Sequence, residues 1–275
     1  MSCDKSKCST CSKGCSDSFK DFREPENQYS NIKKVVAVMS GKGGVGKSLV
    51  TSLLAVYFSK MGLKVGILDA DITGPSIPKI FGIKEKAYDD EMGIHPVVSK
   101  GGIKIMSINL LLDNDDTPVI WRGPIIAGAV KQFWTDVCWG ELDVLLIDLP
   151  PGTGDVPLVV YQTIAVDGAV IVTAPQDLVS MIVKKSCHMA EKMEVNILGL
   201  IENMSYIKCG ECGNIIYPFG KRNTEEAAEE AGTELIARLP IIPETAKLCD
   251  TGSIEDIDID LIKEMGEKIA LKLEL

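Results

Sequence analysis

Histidine is scarce in this sequence: there are two, His95 and His188, and they stand far apart. A histidine-based metal centre or catalytic dyad therefore has little to build on. Long apolar runs are missing too, and none approaches the roughly 20 residues that carry a helix across a bilayer. Basic residues are in deficit, with 29 Lys+Arg against 39 Asp+Glu and a net charge of −10. Nucleic-acid binders show a basic patch or stripe, and membrane-surface helices favour Lys and Arg. Neither nucleic acid nor a membrane is expected as a partner. The opening residues, Met1-Ser2-Cys3-Asp4-Lys5, lack the apolar core of a secretory signal, so the expected location is cytoplasmic.

What is present is enough for one large α/β core: 275 residues, 45% of them hydrophobic. Residues 1–30 are polar and rich in Ser, Lys, Asp and Cys, and read as a flexible cysteine-rich tail. Residues 31–275 read as a single domain. Short apolar runs rich in β-branched residues lie at 35–39, 65–68, 103–108, 144–147, 169–172, 197–201 and 235–239. Helix-length segments separate most of them, among them 48–61, 125–137 and 178–192. That alternation predicts an α/β fold, a mostly parallel sheet with helices on both faces. The last segment, 257–275, has apolar residues at helical spacing (Ile257, Leu261, Met265, Ile269, Leu273) and is expected to pack on the sheet.

The first of these strands runs into Gly41-Lys42-Gly43-Gly44-Val45-Gly46-Lys47-Ser48, which fits the phosphate-binding pattern G-x-x-x-x-G-K-[ST]. Glycines let backbone N–H groups turn inward around phosphate oxygens. The helix that follows presents its positive end. Lys47 is expected to neutralise the β/γ phosphates of ATP, and the Ser48 hydroxyl to ligate Mg²⁺. Two apolar strands then end in acid: Leu68-Asp69-Ala70-Asp71 and Leu146-Ile147-Asp148. Asp148 fits the pattern that holds the Mg²⁺ shell. Pro150-Pro151-Gly152-Thr153-Gly154-Asp155 follows at once, a stiff loop suited to switching with the γ-phosphate.

Nine cysteines without a secretion signal call for a reason other than disulfides. Cys138, Cys187 and Cys249 stand alone and read as buried small hydrophobes. Cys209-Gly210-Glu211-Cys212 is a C-x-x-C pair that can grip a metal ion or a cluster edge, but it is half of a four-thiolate set. A symmetric dimer would complete the set. A half zinc knuckle or a redox dithiol remains open on the spacing. Cys3, Cys8, Cys11 and Cys15 form a second group of four, able to hold a cluster, zinc or a transient ion.

The loop with its early Lys42 resembles the deviant Walker A loop of the MinD/ParA/nitrogenase iron-protein class. More closely, the chain resembles the Mrp/ApbC family of iron–sulfur cluster carriers, including its cytosolic branch with a cysteine-rich N-terminus. The matching stretches are 38–48, 68–78, Trp121-Arg122-Gly123-Pro124, 139–143, 147–155, and Glu202-Asn203-Met204-Ser205-Tyr206 running into Cys209 and Cys212. The resemblance implies a P-loop NTPase fold and a homodimer in which Lys42 reaches the partner's ATP. It implies that Asp71 orients the attacking water, Asp69 supports the magnesium shell and Asn203 contacts adenine. It further implies a [4Fe–4S] cluster held between subunits by Cys209 and Cys212, exchanged with cluster donors and apoprotein acceptors. The N-terminal spacing, Cys3-x4-Cys8-x2-Cys11-x3-Cys15, departs from that branch. The alternative is a MinD/ParA-like dimeric switch ATPase with a structural zinc at the cysteine pair. A nitrogenase-like electron donor fits less well, because its cysteines are single and widely spaced.

Overall fold

The computed structural model describes residues 23–72, 74, 76–112, 123–175, 179–221 and 223–275. In chain order its elements begin with β1 (Asn31–Ile32), β2 (Val35–Ser40), α1 (Lys47–Lys60), β3 (Val65–Asp69) and α2 (Ile77–Ile80). Next are β4 (Tyr88–Asp90), β5 (Gly93–His95), β6 (Val97–Val98), β7 (Lys104–Ser107), α3 (Gly123–Thr135) and β8 (Glu141–Leu142). They continue with β9 (Val144–Asp148), α4 (Asp155–Thr163), β10 (Gly168–Thr173), α5 (Val179–Lys192) and β11 (Ile197–Glu202). The last are β12 (Ile207–Lys208), β13 (Ile215–Ile216), α6 (Thr224–Glu230), β14 (Leu235–Arg238), α7 (Pro243–Thr251) and α8 (Lys263–Leu273).

Eight strands form one sheet in the order β14-β11-β10-β2-β9-β3-β7-β6. All neighbours pair parallel except β6, an antiparallel edge strand on β7. The central strands are buried on both faces, so their sequences are continuous apolar runs rather than alternating ones. Along β2, Val36 and Val38 enter the layer beneath α1 and α8, while Val35, Ala37 and Met39 enter the layer beneath α3, α4 and α5. Every strand that the sequence predicted is present. The mostly parallel sheet covered on both faces is the architecture found.

Several differences have local causes. The 103–108 run is strand only over Lys104–Ser107, because Ile108–Leu110 closes into a 3-10 turn. The C-terminal 257–275 pattern is not one helix. Its first part folds as a 3-10 turn, Ile259–Leu261, and α8 begins at Lys263. Ile257, Met265, Ile269 and Leu273 are buried as expected, but Leu261 stays 43% exposed. Two short antiparallel hairpins, β4–β5 and β12–β13, had no counterpart in the sequence reading, since two- and three-residue strands carry no periodicity.

Part of the expected tail is docked. Glu24 donates its N–H to Thr163 O at 2.8 Å, accepts from Trp134 Nε1 at 2.9 Å and pairs with Lys131 at 2.7 Å. Asn27 is buried, and its amide donates to Met92 O and Asp136 O at 3.2 and 3.3 Å. Residues 24–30 therefore belong with the domain, not with the tail assigned to 1–30.

Candidate functional site

β2 delivers the chain to the C-terminal edge of the sheet, where parallel α/β sheets bind ligands. Gly44 and Gly46 adopt φ +79° and +80°, a left-handed backbone that favours glycine. At Gly46 even an alanine would collide, its Cβ falling 2.1 Å from Asn203 Nδ2. α1 starts at Lys47 with no side chain capping its N-terminus and no acid in its first turn. Its leading N–H groups and dipole are thus left for an anion. A cavity of ≈ 290 Å³ lies here, lined by residues 43–49 together with Asp71, Ser76 and Pro151. Gly43, Gly44, Val45, Gly46, Lys47 and Ser48 all line it. Lys42 does not: it is half-buried, and its carbonyl accepts from Ser40 Oγ at 3.0 Å. Gly41, beside it, is likewise outside the lining.

Lys47 is 6% exposed and sits among carboxylates, 2.7 Å from Asp148 Oδ1 and 3.9 Å from Asp71 Oδ2. Ser48 Oγ donates to Asp148 Oδ2 at 2.5 Å. Asp69 and Asp148 face each other as register partners on β3 and β9, and both are fully buried. Asp69 accepts from Ser107 Oγ at 3.1 Å and from the Asp71 N–H at 3.2 Å. Burial, then the neighbouring Asp148 charge, pushes the Asp69 carboxyl up to about 8, with Lys47 pulling the other way. Two adjacent buried carboxylates with one lysine are short of positive charge. Oxygen donors in that setting suit a hard divalent cation such as Mg²⁺, so Ser48, Asp69 and Asp148 fit as its candidate ligands.

Two residues of this cluster were missed. Thr51 Oγ1 lies 2.8 Å from Asp148 Oδ1 and 3.1 Å from Lys47 O, its one proton directed between the two acceptors. Its place one helical turn after Lys47 was a usable signal. Ser107 carries none, since only the β3–β7 pairing brings it to Asp69.

Asn203 is 3% exposed, and its amide donates to Val45 O at 3.0 Å, bracing the loop from behind. It also borders a second, mostly apolar cavity of ≈ 190 Å³ shared with Met204, Pro240 and Ile241. A flat apolar group attached to a phosphate chain would find room there.

The cysteine pair sits on the β12–β13 hairpin. Cys209 donates its N–H to Asn214 O at 2.9 Å and accepts from the Gly213 N–H at 3.0 Å. Cys209 is half-buried and Cys212 exposed. N–H groups of Cys212 and Glu211, then the Cys212 thiol, hold the Cys209 thiol below its usual range, which favours thiolate. Among the described residues no third Cys, His, Asp or Glu joins the pair as a metal site. Of the lone cysteines, Cys187 is buried as expected; Cys138 and Cys249 are only half-buried, lying near the surface of their layers. Cys3, Cys8, Cys11, Cys15, Trp121 and Arg122 lie outside the described residues.

A glycine loop at the carboxyl edge of a parallel sheet, with a buried lysine and acidic ends on β3 and β9, defines a P-loop NTPase with a MinD/ParA-like fold. The model of the NUBPL iron-transfer P-loop NTPase family (ParA) matches residues 31–273. The chain belongs to this family of iron–sulfur cluster carrier P-loop NTPases. It is 49% identical to the iron-sulfur cluster carrier protein of Clostridium perfringens, covering 92% of this chain and 91% of that one. The carrier protein of Methanocaldococcus jannaschii is also 49% identical, over 90% and 88% of the two chains. A solved nucleotide-binding protein from Archaeoglobus fulgidus, in complex with ADP, superposes with TM-score 0.75 at 48% identity, covering 82% and 89%. MinD of Aquifex aeolicus shares the fold alone, with TM-score 0.61 and 20% identity over 88% of this chain and 97% of that one. No helix among the described residues is long and apolar enough to cross a membrane.

Proposed function

We propose that this chain binds and hydrolyses ATP and serves as a scaffold and carrier for a [4Fe–4S] cluster. The cluster is its cargo, held between two copies and passed from donors to apoprotein acceptors. The observation that carries this reading is the joining of two sites by one short segment. Asn203 braces the phosphate loop, and six residues later Cys209 opens the C-x-x-C pair, whose Cys212 is exposed.

In this reading the N–H groups of residues 43–48 bind phosphate oxygens, and Lys47 supplies their main counter-charge. Ser48, Asp69 and Asp148 hold Mg²⁺, which adds positive charge at the phosphates when bound. Asp71, beside Lys47, orients the attacking water, and Lys42 reaches the nucleotide of the second copy. Asn203 and the apolar cavity beside it take the adenine. A four-iron cluster takes four thiolates; each chain offers Cys209 and Cys212, so two copies complete the set. Exposure of Cys212 suits cargo that must leave.

A second reading, a MinD-like dimeric switch with a structural zinc at the pair, is favoured by the knuckle form of the hairpin and by the shared fold. Metal content separates the two. A chain shortened to begin at residue 23 keeps the Glu24 and Asn27 contacts and removes the N-terminal cysteines. After anaerobic reconstitution it should be brown and hold about four irons per dimer, and Cys212→Ala should hold almost none. One zinc per dimer with refusal of iron would replace the carrier with the switch.

A further inference from the structure

Glu202 is a carboxylate at the end of β11, 2% exposed, that the nucleotide chemistry does not use. Its oxygens are fully engaged. One accepts from the Ser205 hydroxyl and the other from the Thr224 hydroxyl. The Arg238 Nε lies 3.4 Å from the first, and the same guanidinium donates to Glu225 at 2.9 Å. Ser205 and Thr224 are themselves buried, at 2% and 1% exposure. A buried charge held by two hydroxyls and a guanidinium is costly to disturb, because loss of any donor leaves the carboxylate short of a partner.

The two hydroxyls stand at the two ends of the cysteine hairpin. The hairpin follows Ser205 in the chain, and Thr224 is the first residue of α6 beyond it. Between them, β12 and β13 are two residues each, too short to hold a shape by pairing alone. Backbone bonds in the turn and the Tyr206–Tyr217 ring contact shape the hairpin itself, and the clasp stands at its base. On its other side the clasp adjoins the phosphate loop. Asn203 follows Glu202 directly, donates to Val45 O, and stands where a Gly46 Cβ would be. Met204, between brace and clasp, holds φ +58°, a left-handed backbone that a non-glycine residue rarely adopts. The backbone around it is pinned by Ser205 N–H to Leu239 O at 2.9 Å and Ile241 N–H to Tyr206 O at 2.7 Å. Little slack is left between the loop and the hairpin.

We propose that Glu202 is a positioning residue that couples the phosphate loop to the cysteine pair. Through Ser205 and Thr224 it ties both ends of the hairpin to the segment that braces the loop, so that nucleotide occupancy sets the accessibility of Cys212. The proposal rests on the nucleotide and thiolate sites read above.

The test follows thiol reactivity in the full chain, reduced and freed of metal, so that it does not depend on a cluster. Iodoacetamide labelling of the peptide carrying Cys209 and Cys212 is timed by mass spectrometry with and without Mg·ADP, with the half-buried Cys138 as the internal reference. ADP should slow labelling of the pair by about fivefold, the low end of ordinary coupling between sites. Glu202→Gln should bind ADP as the unmodified chain does yet lose the difference. Ser205→Ala and Thr224→Val each remove one donor and should shrink it; they decide the matter if Glu202→Gln does not fold. An undiminished ADP effect in all folded variants would overturn the proposal, as would equal labelling of the unmodified chain while ADP is bound. Failure of the unmodified chain to bind ADP would overturn the nucleotide site itself, and the proposal with it.

Discussion

Lys47 and Cys212 show two ways of building a site in one chain. Lys47 is 6% exposed, hemmed by Asp148 and Asp71, and backed by strands buried on both faces. Cys212 is exposed on a hairpin whose strands are two residues each. The first site holds its charges in place before any ligand arrives, so a ligand meets little reorganisation. The second leaves the Cys212 thiol reachable. Rigidity suits a ligand to be gripped and cleaved in one geometry. Exposure suits cargo that is exchanged. The contrast also assigns vulnerability: damage to the loop should cost nucleotide chemistry first, and damage to the hairpin should cost metal first, with any coupling between them a smaller, reciprocal effect.

The largest expected effect is that of Lys47→Ala. It removes the phosphate counter-charge and leaves Asp69 and Asp148 buried together, and ATP affinity should fall by about 1,000-fold, the scale of breaking a buried ion pair. Equilibrium titration with a fluorescent ATP analogue measures it, and unchanged affinity would mean that the site is misassigned. Next, Asp71→Asn should keep ATP affinity but slow steady-state phosphate release by about 100-fold, as for loss of a residue acting on the attacking water. Wild-type turnover would remove Asp71 from the chemistry.

Lys42→Ala tests whether the rigid site is finished by a second copy. Its turnover should drop by about tenfold, ~1.4 kcal/mol of transition-state stabilisation and well short of the roughly 10³-fold or more that an arginine reaching in from a partner supplies, with affinity for ATP little changed. Mixing Lys42→Ala with Lys47→Ala chains would show whether the two sites communicate, and a normal rate in Lys42→Ala alone would make the loop an ordinary single-chain one.

The smallest effect sharpens the electrostatic side. Burial and the Asp148 charge push the Asp69 carboxyl from its ordinary 3.8 up to about 8. Between those values the folded chain keeps a proton that the unfolded chain has lost, so stability falls as pH rises through the window and levels off above it. Melting temperatures of the nucleotide- and metal-free protein should therefore decline from pH 5 to pH 8, and Asp69→Asn should flatten that slope. An unchanged slope would mean that Asp69 does not carry the extra proton.

Much of this molecule was legible in the sequence because its signals are local. An apolar run buried on both faces reads as a strand wherever it lies, and β2, β3, β9, β10, β11 and β14 were found that way. The 41–48 loop needs glycines at fixed spacing, and acids at strand ends mark the sheet edge, so Lys47, Ser48, Asp69, Asp71 and Asp148 were named in advance. Tertiary structure alone decided what depends on chain pairing. It brought Ser107 to Asp69 across β3 and β7, set Asn203 behind Gly46, docked residues 24–30 against α3 and α4, and closed Ser205 and Thr224 on Glu202. It also broke the 257–275 pattern, where Ile257 is buried in the layer beneath α1 and α8 while the turn at Ile259–Leu261 leaves Leu261 in solvent. The physical reason is the same in each case. Spacing along a chain dictates local backbone geometry and which face is apolar, but a hydrogen bond between residues far apart in sequence exists only once the sheet order has been fixed.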